Sequence, residues 1–269
     1  MIKNDELYRS LNNKLLKSKF FKKKIIKKKF LYEKLLKKKY DLIINCDQNN
    51  PISKKYFIQK IEKDYKNFAY TTILEHDKLK NNSAIQVFTH QGPVAFLPIS
   101  NTKTSVVCSL DTSYKKYNDS EILELIKKHN PKFKIKKNFK LISFALKSSN
   151  LRKYYYENIL AFGELLHKIH PLAGQGFNMT IRDIKDLSEI IQNKINLGLQ
   201  LDSIILEEFQ NKTKNRNFIF SSGIDFIYEF FNFDKKNEGK IINKFLQYFG
   251  TNKSFISSII KFADKGLGI

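Results

Sequence analysis

A chain of 269 residues is long enough to bury a substantial core, as one large domain or two smaller ones. Hydrophobic residues make up 42% and aromatics 13%, with 23 Phe, which excludes disorder of the whole chain. The formal net charge of +23 would suggest nucleic acid, but Arg occurs only at positions 9, 152, 182 and 216. Lysines spread over solvated faces lack the bidentate fork that phosphate recognition favours, so no nucleic-acid partner is expected.

Residues 4–40 are Lys-rich, and Leu7, Leu11, Leu15 and Leu16 are spaced as on one helix face. From Phe20 to Tyr40, Lys clusters alternate with apolar pairs such as Ile25-Ile26 and Leu35-Leu36, a pattern open to short strands, a hairpin or a helix, of which a β-rich stretch is expected. Tyr40–Cys46 reads as a buried strand closed by Asp47, Asn49, Asn50 and Pro51. Strand patterns follow at 68–76, 84–90, 93–99 and 104–110, the signature of an antiparallel sheet. A polar helix is expected over 119–129, a strand over 139–146 and a short buried strand over 158–163. Beyond it the chain reads as helical, with Ile181, Ile184, Leu187, Ile190 and Ile191 marking one face of a long helix.

Cys46 and Cys108 each sit in an apolar run, far apart and without metal-ligand spacing, so both are expected to be buried free thiols. Asp5 and Glu6 break the basic-then-apolar start of a secretory signal. No apolar run approaches the roughly 20 residues that span a bilayer. An intracellular chain, soluble or peripheral, is expected.

The segment GELLHKIHPLAGQGFNMTIRDIKDL, residues 163–187, sets a Gly-rich loop between a buried strand and a helix start. Helix starts present unpaired N–H groups and partial positive charge, and Gly174 and Gly176 let a ligand approach the backbone. His170, Pro171, Ala173, Gly174, Gln175, Gly176, Asn178 and Asp183 make the segment resemble the second flavin motif of FAD-dependent aromatic hydroxylases, in the form found in ubiquinone biosynthesis. The runs 91–99 and 105–107 are similar to that family's paired substrate-domain strands, and 209–231 with 261–268 to its terminal helices.

The resemblance implies an α/β fold: a truncated, Rossmann-like FAD-binding domain, an inserted antiparallel substrate sheet and a carboxy-terminal helical region. The corresponding segments are 1–66 and 151–200 for the FAD-binding parts, 67–150 for the sheet and 201–269 for the helices. It implies FAD as cofactor and NAD(P)H as reductant, with one oxygen atom of O2 entering an aromatic ring. Gly163, Glu164, Gly174, Gln175, Gly176, Asn178 and Asp47 are implied cofactor contacts, and Pro171 packs at the reaction centre. Metal binding by His167 and His170 is not expected, because no third ligand accompanies them.

Several positions depart from the family pattern. Glu164, Leu165 and Leu166 replace Asp-Ala-Ala, the middle flavin motif keeps only Asp47, and Pro51 and Lys54 fall where Ser and Arg belong. No GxGxxG follows a strand, so the chain is expected to begin after the dinucleotide-binding turn. The implied partners are a polyprenyl aromatic substrate and either a ubiquinone-synthesis complex or a chain supplying the other Rossmann half. The implied location is cytoplasmic, at the inner face of the cytoplasmic membrane if peripheral. A noncatalytic remnant or assembly partner is the alternative. Phe218, Phe220, Phe226, Phe230 and Phe231 are expected to pack the core of the final helices rather than meet a polyprenyl tail or membrane.

Overall fold

The computed structural model describes residues 4–26, 32, 36, 40–112, 116–170 and 175–236. The chain divides into two compact units: Met1–Ile26 with Asp64–Leu146, and Lys27–Lys63 with Lys147–Ile269. Residues 4–26 thus group with the sheet, whereas the sequence pattern places them with 27–66. Helix α1 (Asn4–Leu16) buries no side chain, so its hydrophobic pattern could not assign it to either core.

In the first unit the spacing of Leu7, Leu11 and Leu15 does produce a helix, although Leu11, Leu15 and Leu16 are exposed. Residues 20–26 form no strand, contrary to expectation, because apolar residues there come singly or in pairs between lysines and present no alternating face. Most of the remaining segment to position 39 lies outside the described residues.

The sheet is built from β2 (Lys60–His76), β3 (Ile85–Phe88), β4 (Pro93–Ser100), β5 (Lys103–Asp111) and β7 (Ile142–Leu151), in the order β7-β2-β5-β4-β3. A further strand, β6 (Ile135–Asn138), pairs with β2. Pairs β2–β5, β4–β5 and β3–β4 are antiparallel, with Tyr70 opposite Cys108 and Phe96 opposite Val106. Helix α3 (Asp119–Lys128), closed by a capping box between Asn118 and Glu121, packs Ile122, Leu125 and Ile126 on Tyr70, Leu74, Phe96, Val106 and Leu110. Gly92 (φ +141°) makes the β3–β4 turn, where a Cβ would lie 2.0 Å from the Ser109 carbonyl oxygen. Cys108 is buried as expected, and burial pushes its thiol up to about 12. The expected strand over 139–146 begins at Ile142 and runs on to Leu151.

In the second unit β1 (Ile43–Asn45) pairs in parallel with β9 (Ile159–Ala161), and β8 (Tyr155–Tyr156) is antiparallel to β9. Strand β10 (His167–Lys168) pairs with the end of β7, His167 opposite Asn150. Helices α2 (Pro51–Tyr56), α4 (Gln175–Asn196) and α5 (Ser203–Lys236) complete it. Leu160, Ala161, Leu166, Ile205, Leu206 and Phe209 form the core, joined by Leu187 and Ile190 of α4.

Three expectations are corrected in this unit. Strand alternation turns Asn45 inward and leaves Ile44 and Cys46 exposed, so Cys46 is not a buried thiol. Ile181 and Ile184 are exposed, because the buried stripe of α4 runs Met179, Asp183, Asp186, Leu187, Ile190 and includes two carboxylates. Phe220 is buried, but Phe218 and Phe226 are 47% and 70% exposed: a helix offers one stripe to a core, and they lie off it. The side chains of Phe230 and Phe231 lie outside the described set.

Candidate functional site

Strands β1 and β9 end side by side, Asn45 opposite Ala161, and the Phe162 N–H donates to the Asn45 carbonyl at 2.9 Å. Ligands of parallel α/β sheets bind beyond such carboxyl ends. Two loops leave from this point. The first is held by Asn45, whose Oδ1 accepts from Asn50 at 2.6 Å and whose Nδ2 donates to Ser53 Oγ at 2.8 Å. Asn50 caps α2 by accepting the Ser53 N–H at 2.9 Å, and Pro51 occupies the first turn, where its missing N–H costs nothing. Asp47 is exposed, and its carboxylate accepts the Asn49 N–H at 2.8 Å, closing the turn. Gln48 reaches the second loop, donating to the Glu164 carbonyl at 2.6 Å.

The second loop begins at Gly163 (φ +62°), where a Cβ would meet nothing within 4 Å among the described residues and the left-handed backbone favours glycine. Glu164 is exposed, while Leu165 and Leu166 turn into the core at 3% and 0% exposure. Their bulk therefore fills the interior and leaves the outer side of the loop to Gly163, Glu164 and Gln48. Strand β10 follows, and α4 starts at Gln175 with no acidic residue in its first turn, so no carboxylate of that turn offsets the partial positive charge of its N-terminus. Among the described residues a Cβ at Gly176 would meet the Ile169 side chain, at an ordinary 3.6 Å. Asn178 is exposed on that first turn. Pro171 and Gly174 lie outside the described residues, as does the side chain of Gln175.

Behind the loops lies a polar cluster that the hydrophobic pattern concealed. His167 Nε2 donates to Asp183 Oδ2 at 2.5 Å, with both side chains at 0% exposure, and Asn217 donates to Asp183 Oδ1 at 2.9 Å. Asp186 is bound by Arg216 at 2.6 Å and by Lys212 at 3.0 Å. Burial alone would raise the Asp186 carboxyl, but hydrogen bonds from Arg216 and Lys212 outweigh it and hold it below the usual carboxylate range. His170 is buried with its ring 4.6 Å from that of Tyr228; burial, aided by the charge of Lys63, pushes it down to about 4. Acidic residues at core positions of α4, and a histidine just before a Gly-rich loop, were the available signals of this cluster. Among the described residues no group of three His, Cys, Asp or Glu is arranged to hold a metal ion.

No family model matches the chain. Curated relatives do. The mitochondrial ubiquinone biosynthesis monooxygenase COQ6 of Dictyostelium discoideum is 25% identical over 241 residues, covering 71% of this chain and 49% of the relative. The 3-demethoxyubiquinol 3-hydroxylase of Escherichia coli K12 is 30% identical over 153 residues, covering 55% and 39%.

The chain is a homologue of the ubiquinone-biosynthesis hydroxylases. It spans about half the length, or less, of the curated relatives it matches. Its fold is similar to those of solved structures: p-nitrophenol 4-monooxygenase PnpA from Pseudomonas putida DLL-E4 superposes with a TM-score of 0.67 at 14% identity, over 84% of this chain and 59% of that one. The flavin-dependent brominase Bmp2 gives 0.62 at 13% identity, over 83% and 57%. An α/β chain with an antiparallel sheet and carboxy-terminal helices, as expected from the sequence, is what the structure contains.

The described residues of this ubiquinone-hydroxylase homologue fit a flavin group at the paired strand exits. The open Gly163, the exposed carboxylates of Glu164 and Asp47 and the acid-free start of α4 supply space, hydroxyl acceptors and positive potential. The larger Leu165 and Leu166 do not obstruct it, since both are withdrawn into the core.

Proposed function

We propose that the chain forms the flavin-facing part of an FAD-dependent monooxygenase that hydroxylates the aromatic ring of a polyprenylated ubiquinone precursor, with NAD(P)H as reductant. The observation that carries this reading is the convergence of two loops on adjacent parallel strand ends, tied by Gln48 to Glu164, at the positions the family gives to flavin. Bound there, the flavin would supply activation of O2 and transfer of one oxygen atom.

The protein's own contributions are position, polarity and dryness. Glu164 and Asp47 offer carboxylates to flavin hydroxyls. Gly174, Gln175 and Gly176 bring backbone N–H groups to the ring edge, where the helix N-terminus stabilises negative charge. Gly176 would let a ligand approach the backbone closely, and among the described residues a Cβ there meets only Ile169, at an ordinary 3.6 Å. Asn178 adds a polar contact, and Pro171 packs beside the reacting ring. The segments 1–66 and 151–200 are the FAD-binding parts, 67–150 the substrate sheet and 201–269 the terminal helices. The adenine half of FAD is left to a dinucleotide-binding turn of the GxGxxG type, which these 269 residues do not contain.

A lipophilic substrate and the exposed Phe218, Ile219 and Phe226 support a cytoplasmic protein touching the inner face of the cytoplasmic membrane. No helix among the described residues is long and apolar enough to cross a membrane. A second reading, a noncatalytic assembly partner, is favoured by Pro51 and Lys54 at flavin positions and by the engagement of Asp47 in its own turn.

Titration of the purified chain with FAD, alone and with a dinucleotide-binding polypeptide coexpressed, separates the two. Quenched flavin fluorescence that saturates at one FAD per chain supports the enzyme. No response in either format overturns it and leaves the assembly role.

A further inference from the structure

Only residues 169–174 separate the end of β10 from the start of α4. The two sides of this loop are fastened twice behind it. Ile169 packs with Met179, Phe220 and Ile224, and His167 bonds Asp183 two turns into α4. Asp183 is in turn held from α5 by Asn217 at 2.9 Å and approached by Arg216 at 3.6 Å. His167 Nδ1 has no hydrogen-bond partner among the described residues, so Asp183 is the only polar anchor found there for the ring.

Apolar residues of similar volume would fill this space at equal or lower energetic cost, because burying charged or polar pairs is expensive. What a fully enclosed pair adds is geometry: one ring orientation and one spacing between strand and helix. We infer that His167 and Asp183 are positioning residues that fix β10 against the first turns of α4, and thereby set where the backbone N–H groups at the start of α4, from Gln175 to Asn178, point. This rests on the flavin reading above, which assigns those groups to the ring edge. Neither side chain touches the cofactor, since both are enclosed.

Amide hydrogen exchange of the full chain tests this without requiring FAD. His167→Leu keeps the bulk and removes the donor, whereas His167→Gln retains an N–H donor of similar reach. Loss of a buried hydrogen bond to a charged group corresponds to about 10-fold or more in local opening. In H167L the amides of 167–168 and of 179–182, the first internally bonded turn of α4, exchange at least about 10-fold faster, while those of 187–195 and 205–215 change less than about 3-fold. In H167Q all stay within about 3-fold of the parent.

Uniform acceleration throughout the unit, H167Q matching H167L, or no acceleration in H167L would each overturn the proposal. If H167L does not fold, Asp183→Asn takes its place with the same local pattern expected and the same refuting outcomes. Adding FAD to the parent protein separates the two ideas. Failure of FAD to protect amides 175–178 counts against the flavin reading, whereas the variants alone decide the role of His167 and Asp183.

Discussion

His170 is buried neutral, and that fact makes a pH-dependent contribution to stability that can be isolated. Its imidazole titrates at about 4 in the folded chain, because burial and the charge of Lys63 oppose protonation, against 6.5 for the free side chain. Between these values the unfolded chain binds the extra proton and the folded chain does not, so stability falls as pH falls. The contribution is fully present above pH 6.5 and is lost on going down towards pH 4. From about pH 7 to about pH 4.5 the loss from this residue alone is about 2.5 kcal/mol. Carboxylates titrate in the same range, so the comparison is with His170→Phe, which keeps a ring against Tyr228 and removes the titration. Urea unfolding followed by circular dichroism at both pH values should show the parent losing about 2.5 kcal/mol more than the variant. Equal losses in the two proteins would refute the assignment of His170 as a buried neutral group.

Other substitutions address packing and the loop. Leu166→Ala removes a fully enclosed side chain from the core of the second unit and should cost about 2–5 kcal/mol in urea unfolding, with an unaltered fold by circular dichroism. Gly92→Ala places a Cβ against the Ser109 carbonyl oxygen and should destabilise the sheet unit by more than about 1 kcal/mol, visible as a lowered thermal midpoint. Gly176→Ala has the opposite pattern: stability unchanged or raised by up to about 1 kcal/mol, because alanine is the better helix former, but FAD affinity lowered about 10-fold in fluorescence titration. Glu164→Gln should weaken FAD by about 10-fold with no change in unfolding midpoint, since its side chain is exposed.

The sheet was legible because β2, β4 and β5 place one row of apolar side chains on the core and announce it by alternation. The helix start at Gln175 was legible because a Gly-rich run after a buried strand marks an entry to a helix. Less readable was whatever depends on a partner distant in the chain. Cys46 looked buried in its apolar run, yet alternation turns Ile43 and Asn45 to the core and Ile44 and Cys46 outward, with Asn45 held inside by its bond to Asn50. Ile181 and Ile184 looked like the buried face of α4, but Asp183 and Asp186 displaced them, since His167, Arg216 and Lys212 from distant segments compensate the two carboxylates. Strand β6 went unseen because its burial pattern has no alternating face to read. The tie between Gln48 and Glu164 spans 116 residues and uses a main-chain carbonyl, which no side-chain pattern records.

The proposed function requires the two loops at the ends of β1 and β9 to form one flavin surface. The most direct test is the hydrogen-exchange footprint of FAD on the chain, with the dinucleotide-binding polypeptide present in both the free and the loaded sample. Protection confined to residues 45–50, 163–166 and 175–178 is the expected result. Protection that misses these segments, or that falls instead on the exposed face of α5, would contradict it.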